Sequence, residues 1–399
     1  MNREDAARAL VGLMVLLLPW AGVLAVLPLA AVAYLERSTR MLSASLALLL
    51  LMKFSIELSH LNLPMYVVSI SFVVSTFACL ASRPFGALSG SLIYLMTTVA
   101  LGYPAAAINS SGLLPEKILF MTLLGGLSGA FLQHVSKERD FLVPFGACMV
   151  MWLFSFDYPL PELGRMIMIY IFALVLGLGA YWARAGDVDA ILSEIIICIL
   201  VVLFAGFSWF LLLLCFYLLG GAFTRYGYAK KEKLGIAQSG GGVRGYKNVY
   251  SNSLVPLALA ILYGLYSSEL ILFAYLGSVA TACGDTLASE IGETSSTPPR
   301  MITTLRRVEP GVDGGVTALG EAASVLGAAA VGVLAVAIGM SGLQGLAAAV
   351  LGGFLGTNFD SLLGATLQRT GMLTNNGVNL MATLFGALAG GAIYLVVWS

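Results

Sequence analysis

Long apolar runs separated by short polar segments recur along the whole chain. The runs include residues 10–35, 84–108, 190–221, 253–283 and 322–351, each of a length that can cross a bilayer. Because they are continuously apolar, they lack the alternating polarity of the strands of a membrane β-barrel. The pattern predicts an all-α fold, a polytopic transmembrane bundle of roughly 12–14 helices, some of which are broken.

The loops divide the predicted spans into two regions. Loops after residue 186 are richer in glycine, asparagine and charge than those before it. We therefore expect an N-terminal transmembrane region, 1–185, of unassigned role and a second transmembrane domain, 186–399, that carries the chemistry. Segment 190–224 is too long for one upright span, so either Gly206 breaks it into two helices or it forms one long tilted helix. The predicted spans are 10–35, 41–58, 64–82, 84–104, 113–134, 141–157, 162–183, 190–224, 252–268, 270–290, 317–339, 343–366 and 376–398.

Composition and charge support a membrane location. Of the 399 residues, 59% are hydrophobic and only 11% are charged, whereas soluble domains are about 25% charged. The net charge of zero gives no indication of a nucleic-acid partner. A cluster of cations lies between residues 225 and 247, and the positive-inside rule places that loop in the cytoplasm. We expect a multi-pass protein of the cell membrane, surrounded by membrane lipids, with Gly-rich cytoplasmic loops.

Three carboxylates lie at the end of an apolar run, in the segment CGDTLASEIGE at 283–293. On a helix, Asp285, Glu290 and Glu293 fall within roughly 140° of one another, on one face. Acids within a span usually face a cavity or a partner. Hard oxygen ligands without nearby His or Cys suit Mg²⁺. The alternative is a solvated helix end, or acids that pair with arginines.

A Gly-rich loop occupies residues 298–324. Pro310 and the glycines that follow it exclude a regular helix there, and loops of this kind can turn consecutive backbone N–H groups toward an anion. Neighbouring arginines would add bidentate phosphate contacts. The alternative is an ordinary turn with positive-inside arginines. The candidates for substrate binding are Arg300, Arg306, Gly311, Gly314 and Gly315, and Asp313 lies among the glycines.

The basic loop at 225–253 combines cations, a triple glycine and two asparagines. It contains neither a Walker A motif nor a Rossmann fingerprint. Its cations and glycine backbone groups either hold a polyphosphate or meet anionic lipid headgroups. The candidates for substrate binding in this loop are Arg225, Lys233, Arg244, Lys247, Asn248 and Asn252.

Polar residues reappear inside or beside the last two spans. Asp360 lies in apolar surroundings without a cation adjacent in sequence, so it needs a partner, and a metal shared with Asp285 is one option. Asn375, Asn376 and Asn379 open the final span and are further candidates for substrate binding. With only two histidines in the chain, Ser-His-Asp catalysis and His-based metal sites are poorly supported. These residue types favour metal-assisted handling of phosphate, which requires charge neutralisation and alignment.

Five motifs occur in order and together resemble a known membrane family. They are GGVRGYKNVYSNSLVP, CGDTLASEIG, PRMITTLRRVEPGVDGGVTALGEAAS, FDSLLGATLQ and TNNGVNLMATL. This family includes plant phytyl-phosphate kinase, and the resemblance covers residues 186–399. It implies phosphorylation of a membrane-embedded prenyl monophosphate to its diphosphate by a nucleoside triphosphate. A more distant similarity to phytol and dolichol kinases and CDP-diacylglycerol synthases implies Mg²⁺ as cofactor and CTP, or else ATP, as donor.

The resemblance also implies roles for individual residues. Asp285 matches the Asp of the family's G-D-T motif, and Glu290 matches the acid of the S-E that follows. Asp313 lies in the P-G-x-D-G-G loop and Asp360 in the D-S-L-L-G-A motif. These four are the catalytic candidates, and Asp285, Glu290 and Asp360 are the candidate metal ligands. The phosphate contacts suggested by matched motifs are Arg244, Lys247, Arg300 and Arg306.

Two other functions stay open on the sequence alone. A transporter or flippase of a phosphorylated lipid or anion would also use broken helices and intramembrane polar residues. Regions 1–185 and 186–399 show no internal symmetry, which argues against two counterpart halves. A CTP-dependent cytidylyltransferase differs from a kinase in which phosphorus is attacked, and the sequence does not distinguish the two.

Overall fold

Helices make up nearly all of the secondary structure. The computed structural model describes residues 3–57, 62–110, 112–236 and 242–398. Within these ranges, twelve helices are long and apolar enough to cross a membrane, as the apolar runs predict. The polytopic helical bundle is therefore confirmed. Contacts divide the chain into an N-terminal unit, Met1–Ile171, and a C-terminal unit, Phe172–Ser399. The functional division at residue 185 stays a prediction.

The N-terminal unit contains many short α-helices, several of which are joined by 3₁₀-helical or π-helical segments. Segments of 3₁₀-helix, Met14–Leu17 and Gly22–Ala25, interrupt its first span, and π-helical segments, Val74–Ala78 and Thr98–Gly102, interrupt two others. The prediction of broken helices is correct here. Its described helices are α1 (Arg3–Leu13), α2 (Leu18–Ala21), α3 (Val26–Leu35), α4 (Arg40–Glu57), α5 (Met65–Val73), α6 (Cys79–Ser82), α7 (Ala87–Thr97), α8 (Tyr103–Ile108), α9 (Pro115–Val135) and α10 (Arg139–Leu153).

Buried cations connect helices of the N-terminal unit. Arg8 is 6% exposed and donates to the two carboxylate oxygens of Asp140 at 2.8 and 2.7 Å. Lys117, also 6% exposed, donates from Nζ to the carbonyl oxygens of Phe154 and Phe156 at 3.0 and 2.7 Å. A buried charge is tolerated only when it is paired and hydrogen-bonded. These interactions therefore explain how two cations are accommodated within an apolar unit.

The C-terminal unit is built from longer helices. Helix α11 (Leu163–Trp182) contains the boundary between the two units. The chain breaks between α12 and α13 at Gly206, whose φ of 96° favours glycine. The two-helix alternative for segment 190–224 is therefore the correct one. The elements that follow α11 are α12 (Val188–Phe204), α13 (Phe207–Thr224), α14 (Tyr228–Lys233), α15 (Tyr246–Tyr266), α16 (Glu269–Gly292), β1 (Arg300–Met301), β2 (Gly315–Val316), α17 (Ala318–Ala337), α18 (Leu343–Leu363) and α19 (Asn375–Trp398).

Two helices, α15 and α18, extend beyond the apolar runs that predicted them, because polar residues continue each helix at one end. Helix α15 begins at Tyr246 rather than at residue 252 because Gly245 lies in an extended conformation before its first turn. The first turns carry Lys247, Asn248 and Asn252, which hydropathy assigns to a loop. Helix α18 continues as a π-helical segment, Gly364–Gln368, beyond its last apolar residues. In both places the polar residues belong to helix ends rather than to loops.

Helix α16 lies at the centre of the C-terminal unit, where it packs against α17, α18 and α19. The contacts are made by residues without bulky side chains. A Cβ at Gly277 would overlap the carbonyl of Gly386 and lie 3.1 Å from Cα of Gly390. A Cβ at Gly353 would lie 2.7 Å from that of Ala328 and 3.0 Å from that of Ala280. Small residues allow membrane helices to approach this closely, and they give α16 a fixed position among its neighbours.

The alternating direction of the helices collects the polar segments at one end of this unit. Helices α13, α16 and α18 end where α15, α17 and α19 begin, and the joining segments are long and polar. At the opposite end the connections are short, at residues 205–206, 267–268 and 338–342. The motifs singled out from the sequence therefore meet at one end of the unit, although they are far apart in the chain.

Replacement of Gly277 by alanine should destabilise the C-terminal unit. The added methyl group would meet backbone atoms of α19, which can move only if the helix moves. Overpacking of this kind typically costs about 1–3 kcal/mol. We expect Gly277→Ala to lower the melting temperature of the detergent-purified protein. Gly221→Ala on α13 is the control, because no atom of the described residues lies within 4 Å of its added Cβ. Equal melting temperatures for the two variants would contradict the close packing of α16.

Candidate active site

A cavity of about 300 Å³ lies at the polar end of the C-terminal unit. Its walls come from the last turns of α16 and α18, the first turns of α15, α17 and α19, and the segment between α16 and α17. Residues from all five sequence motifs line it, and Arg244 comes from the loop before α15. Of the predicted residues, those that line it are Arg244, Asn248, Asp285, Glu290, Gly311, Asp313, Gly314, Gly315, Asp360, Asn375 and Asn379.

Asp285 and Asp360 are the two half-buried carboxylates that line the cavity from α16 and α18. Asp360 interacts electrostatically with Asp285 and with the exposed Asp313. Its Oδ2 atom is buried and has no hydrogen-bond partner among the described residues. Like charges with a buried, unpartnered oxygen are unfavourable unless a proton or a metal cation binds between them. Asp285 and Asp360 thus line one cavity, and a metal shared between them stays a prediction.

The carboxylate oxygens of Asp285 and Asp360 fit the way in which proteins usually bind Mg²⁺ together with a nucleotide. Mg²⁺ is commonly held by one or two carboxylates, with water and substrate phosphates as its other ligands. The described residues contain no group of three or more His, Cys, Asp or Glu side chains placed to hold a metal ion. Asp285 and Asp360 would therefore be the protein's carboxylate ligands, and phosphate oxygens would supply much of the remainder.

Glu290 has a different environment from the one predicted for a metal ligand. It is 3% exposed, and its Oε2 accepts a hydrogen bond from Nζ of Lys231, which is 1% exposed. The same Nζ donates to the carbonyl of Thr224 at 3.0 Å. Pairing was the alternative considered for these acids, and here the partner is a lysine of α14 rather than an arginine. Glu290 lines the cavity, and its role as a metal ligand stays a prediction.

Lys230 and Lys231 attach α14 to the end of α16. Nζ of Lys230 donates to the carbonyl oxygens of Thr294 and Ser295 at 2.6 and 3.2 Å. The buried pair of Lys231 and Glu290 adds a second connection. Part of the basic loop is therefore ordered by contacts with the acidic helix end. Residues 237–241, which include two of the three consecutive glycines, lie outside the described residues.

The Gly-rich loop forms one wall of the cavity. Gly311 and Gly314 have φ of 82° and 78°, values that strongly favour glycine. A Cβ at Gly314 would also lie 2.5 Å from that of Ala365, so the loop packs directly on the end of α18. The strands β1 and β2 close the base of this loop as an antiparallel pair. Thr317 then caps α17 by accepting a hydrogen bond from the Gly320 N–H at 3.0 Å.

Arg244 is the one cation among the described residues that line the cavity. Its guanidinium carbon lies 5.3 Å from the ring centroid of Phe216, and a Cβ at Gly220 would lie 3.1 Å from that carbon. Its backbone pairs with the segment before α12, since Arg244 N–H donates to Ala185 and Asp187 N–H donates to Arg244, both at 3.1 Å. Arg244 is thus held at the cavity by both its side chain and its backbone.

Several predicted substrate contacts do not line the cavity. The side chain of Arg225 donates to the carbonyl of Ala183 at 2.9 Å, and that of Arg300 to the carbonyl of Leu305 at 2.9 Å. Asn252 is 3% exposed and donates to the Asn248 carbonyl at 3.0 Å. The sequence of a polar segment does not indicate which way each side chain points, and for this reason these residues were predicted as substrate contacts although they do not line the cavity. The residues outside the lining are Arg225, Lys233, Lys247, Asn252, Arg300, Arg306 and Asn376.

Other lining residues were not selected from the sequence. Thr357 and Ser361 lie close to Asp360 on the same face of α18, and Glu321 lies one turn after the cap of α17. Helical spacing of three residues from Asp360 could have identified Thr357, and Ser361 lies four residues after Thr357. Nothing in the sequence distinguishes Lys231 from its neighbouring lysines, because its burial depends on the fold.

The family can be established from sequence comparison. Residues 171–387 match the family described as integral membrane protein DUF92. The chain belongs to this family. The match covers the cavity and all the residues that line it. The domain that carries the candidate chemistry is therefore the DUF92 domain.

Related proteins are found in archaea and plants. An uncharacterized membrane protein of Methanocaldococcus jannaschii, MJ0933, is 35% identical over 58% of this chain and 94% of its own length. Protein PGR of Arabidopsis thaliana is 26% identical over 55% of this chain and 93% of its own length. The chloroplastic protein VTE6 of the same plant is 27% identical over 46% of this chain and 57% of its own length. No solved structure shows significant similarity. These findings confirm a phytyl-phosphate kinase-like membrane family.

Removal of the Lys231 charge should be strongly destabilising. In Lys231→Met the buried Glu290 carboxylate would lose its hydrogen-bonded counter-ion, a change that typically costs about 3–5 kcal/mol. Lys233→Met, at an exposed position on the same short helix, should change the melting temperature little. The double variant Lys231→Met with Glu290→Met should recover much of the loss, because no unpaired charge is left buried. A Lys231→Met protein as stable as Lys233→Met would rule out the buried pair.

Glu293 should make stability depend on pH near neutrality. Burial, reinforced by the charge of Glu290 and opposed by Lys231, raises the pKa of Glu293 to about 7 from 4.5. Since the folded-state pKa is raised, the carboxyl stabilises the fold least when it is ionised, above about pH 7. Glu293→Gln should therefore raise stability at pH 8, on the order of 1 kcal/mol after allowance for partial exposure, and have less effect toward pH 5. Melting curves at several pH values would show this, and an equal effect at all pH values would contradict it.

Proposed function

We propose that this DUF92 protein phosphorylates a membrane-embedded prenyl monophosphate, such as phytyl or geranylgeranyl monophosphate, to the diphosphate with CTP or ATP as donor. The observation that carries this proposal is the pairing of Asp285 and Asp360 in a polar cavity at the end of a membrane bundle. The family relationship to phytyl-phosphate kinase supports it. The cavity would face the cytoplasm at the cell membrane, in keeping with the cationic loop around residue 231.

Asp285 and Asp360 would hold Mg²⁺, which when bound supplies positive charge against the phosphate oxygens. Without a cation, the two carboxylates would repel the phosphates of both reactants. Their position on separate helices, fixed by the close packing of α16 and α18, would set where the donor's phosphates lie. Preorganised charges of this kind act without reorganisation of the site during the reaction.

The remaining cavity walls provide contacts suited to phosphate. Arg244 supplies a guanidinium held against Phe216, with donors suited to bidentate phosphate binding. The loop at 310–315 supplies glycine backbone, and the first turn of α17 supplies the favourable end of a helix dipole. Together these groups would bind and align two phosphorylated reactants.

The prenyl chain can stay in the bilayer while its phosphate enters the cavity. Large apolar side chains near lining residues are exposed on the surface of the unit: Leu319 is 44%, Leu362 41% and Met381 40% exposed. Each CH₂ that is kept in an apolar environment contributes about 0.8 kcal/mol. A long isoprenoid tail would thus hold the substrate in the membrane beside the cavity, without a deep pocket in the protein.

The proposed reaction needs little acid–base chemistry from the protein. An oxygen of the prenyl monophosphate, already ionised, attacks the γ-phosphorus of the donor. The bond between that phosphorus and the β–γ bridging oxygen breaks, and the nucleoside diphosphate leaves with the bond's electrons. Alignment and charge neutralisation dominate phosphoryl transfer of this kind, and the cavity is rich in groups that serve both purposes.

The direct test is transfer of label from γ-labelled CTP or ATP to phytyl or geranylgeranyl monophosphate in detergent with Mg²⁺. We expect label in an organic-extractable diphosphate with the wild-type protein. Asp285→Asn and Asp360→Asn should each lower the rate by at least about 100-fold, because each removes a charge from the site. Glu269→Gln is the control, since it removes an exposed charge at the opposite end of α16.

The position of the label separates the proposal from its alternative. Transfer from α-labelled CTP without transfer from the γ position would identify a cytidylyltransferase and contradict the kinase. Absence of label from both positions, in protein shown to be folded, would also contradict the proposal. Asparagine variants with unchanged rates would overturn the assignment of Asp285 and Asp360 while leaving the reaction in place.

A further inference from the structure

Two hydroxyl groups beside the acidic cavity lack hydrogen-bond partners. Thr357 on α18 is 3% exposed and Ser324 on α17 is fully buried, and the oxygen of each has no partner among the described residues. Hydroxyls in membrane helices usually donate to a backbone carbonyl of the preceding turn. Thr281 and Thr383 follow this pattern, with donation to Gly277 at 2.8 Å and to Leu380 at 2.9 Å. Thr357 and Ser324 therefore depart from the behaviour of their neighbours.

Both hydroxyls lie over the same glycine. A Cβ at Gly284 would lie 3.1 Å from Oγ1 of Thr357 and 3.5 Å from Oγ of Ser324. Gly284 immediately precedes Asp285, so the two hydroxyls pack against the turn of α16 that carries this carboxylate. Thr357 also lies one turn before Asp360 on α18 and lines the cavity, whereas Ser324 does not. Of the two hydroxyls, only that of Thr357 belongs to a residue that lines the cavity and could contact a ligand there.

An unpartnered buried hydroxyl is unfavourable, because it has lost its hydrogen bonds to water without gaining others. Such a group in a native structure calls for a missing partner. The neighbouring carboxylates of Asp285 and Asp360 give the region a negative field, which disfavours an anion and attracts a cation. A hydroxyl oxygen is a hard ligand of the kind that Mg²⁺ and Mn²⁺ accept. The missing partner of Thr357 is therefore best matched by a divalent cation.

We propose that the hydroxyl oxygen of Thr357 coordinates the divalent cation together with carboxylate oxygens of Asp285 and Asp360. This inference rests on the cation site of the proposed function and adds a neutral ligand to it. The buried Oδ2 of Asp360 and Oγ1 of Thr357 belong to residues one helical turn apart on α18, and both residues line the cavity with Asp285. The absence of a side chain at Gly284 leaves room for the hydroxyl against α16. The site thus combines two charged ligands with one uncharged oxygen.

Binding of Mn²⁺ to the full-length protein in detergent tests this assignment without any turnover. Electron paramagnetic resonance measures free Mn²⁺, and competition with Mg²⁺ identifies the shared site. Thr357→Val keeps the shape of the side chain and removes the oxygen, so it should weaken Mn²⁺ binding by about ten-fold. Thr357→Ser keeps the oxygen and should bind nearly as tightly as wild type. Thr383→Val is the matched control, because it removes a buried hydroxyl that already has a backbone partner.

The outcomes separate this inference from the proposed kinase activity. Equal Mn²⁺ affinity for Thr357→Val and wild type, with loss of binding in Asp360→Asn, would overturn the role of Thr357 and keep the carboxylates. Equal weakening by Thr357→Val and Thr383→Val would indicate a general packing effect and would also overturn it. A selective effect of Thr357→Val, rescued by serine, would support the inference even if no labelled nucleotide transferred its phosphate. Melting temperatures would establish that each variant is folded.

Discussion

Backbone-to-backbone contact between α16 and its neighbours is the constraint on which the C-terminal unit depends. In a bilayer the apolar surfaces of helices gain little by leaving lipid, so close packing and hydrogen bonds must hold the helices together. Gly277 against Gly386, and Gly284 against Ser324 and Thr357, allow this approach. The same contacts fix the last turn of α16, and with it Asp285, relative to Asp360 on α18. Packing and the geometry of the acidic cavity therefore have one origin.

Charge in the DUF92 unit is arranged in two ways that differ in consequence. Lys231 and Glu290 neutralise each other and are almost completely buried, which attaches the basic segment to the acidic helix end. Asp285 and Asp360 interact as like charges, and an oxygen of Asp360 has no partner among the described residues. The first arrangement is complete in the protein itself. The second leaves negative charge that a bound cation would neutralise, and the proposed function rests on that difference.

The fold was largely predictable from sequence because continuous apolar runs have few structural solutions in a membrane. The break at Gly206 was one of two alternatives, and the start of α15 was missed because its first turns are polar. Asp285, Asp360 and the glycines of residues 311–315 were found because acids and left-handed turns are conspicuous in an apolar chain. Arg225, Arg300 and Lys233 were not separable from Arg244, because side-chain direction depends on tertiary contacts. Lys231 and Thr357 are distinguished only by burial and by what lies next to them.

The exposed leucines beside the cavity have a consequence for how the two proposed reactants arrive. A nucleotide reaches the site from water in three dimensions, whereas a prenyl phosphate travels within the plane of the membrane. Near Leu319 and Leu362, which are 44% and 41% exposed, the prenyl phosphate can approach the cavity from the side without leaving the bilayer or the detergent micelle. Its effective concentration is then its mole fraction among lipids or detergent, not its amount per volume. Added detergent would slow the reaction by surface dilution, with no change in the protein.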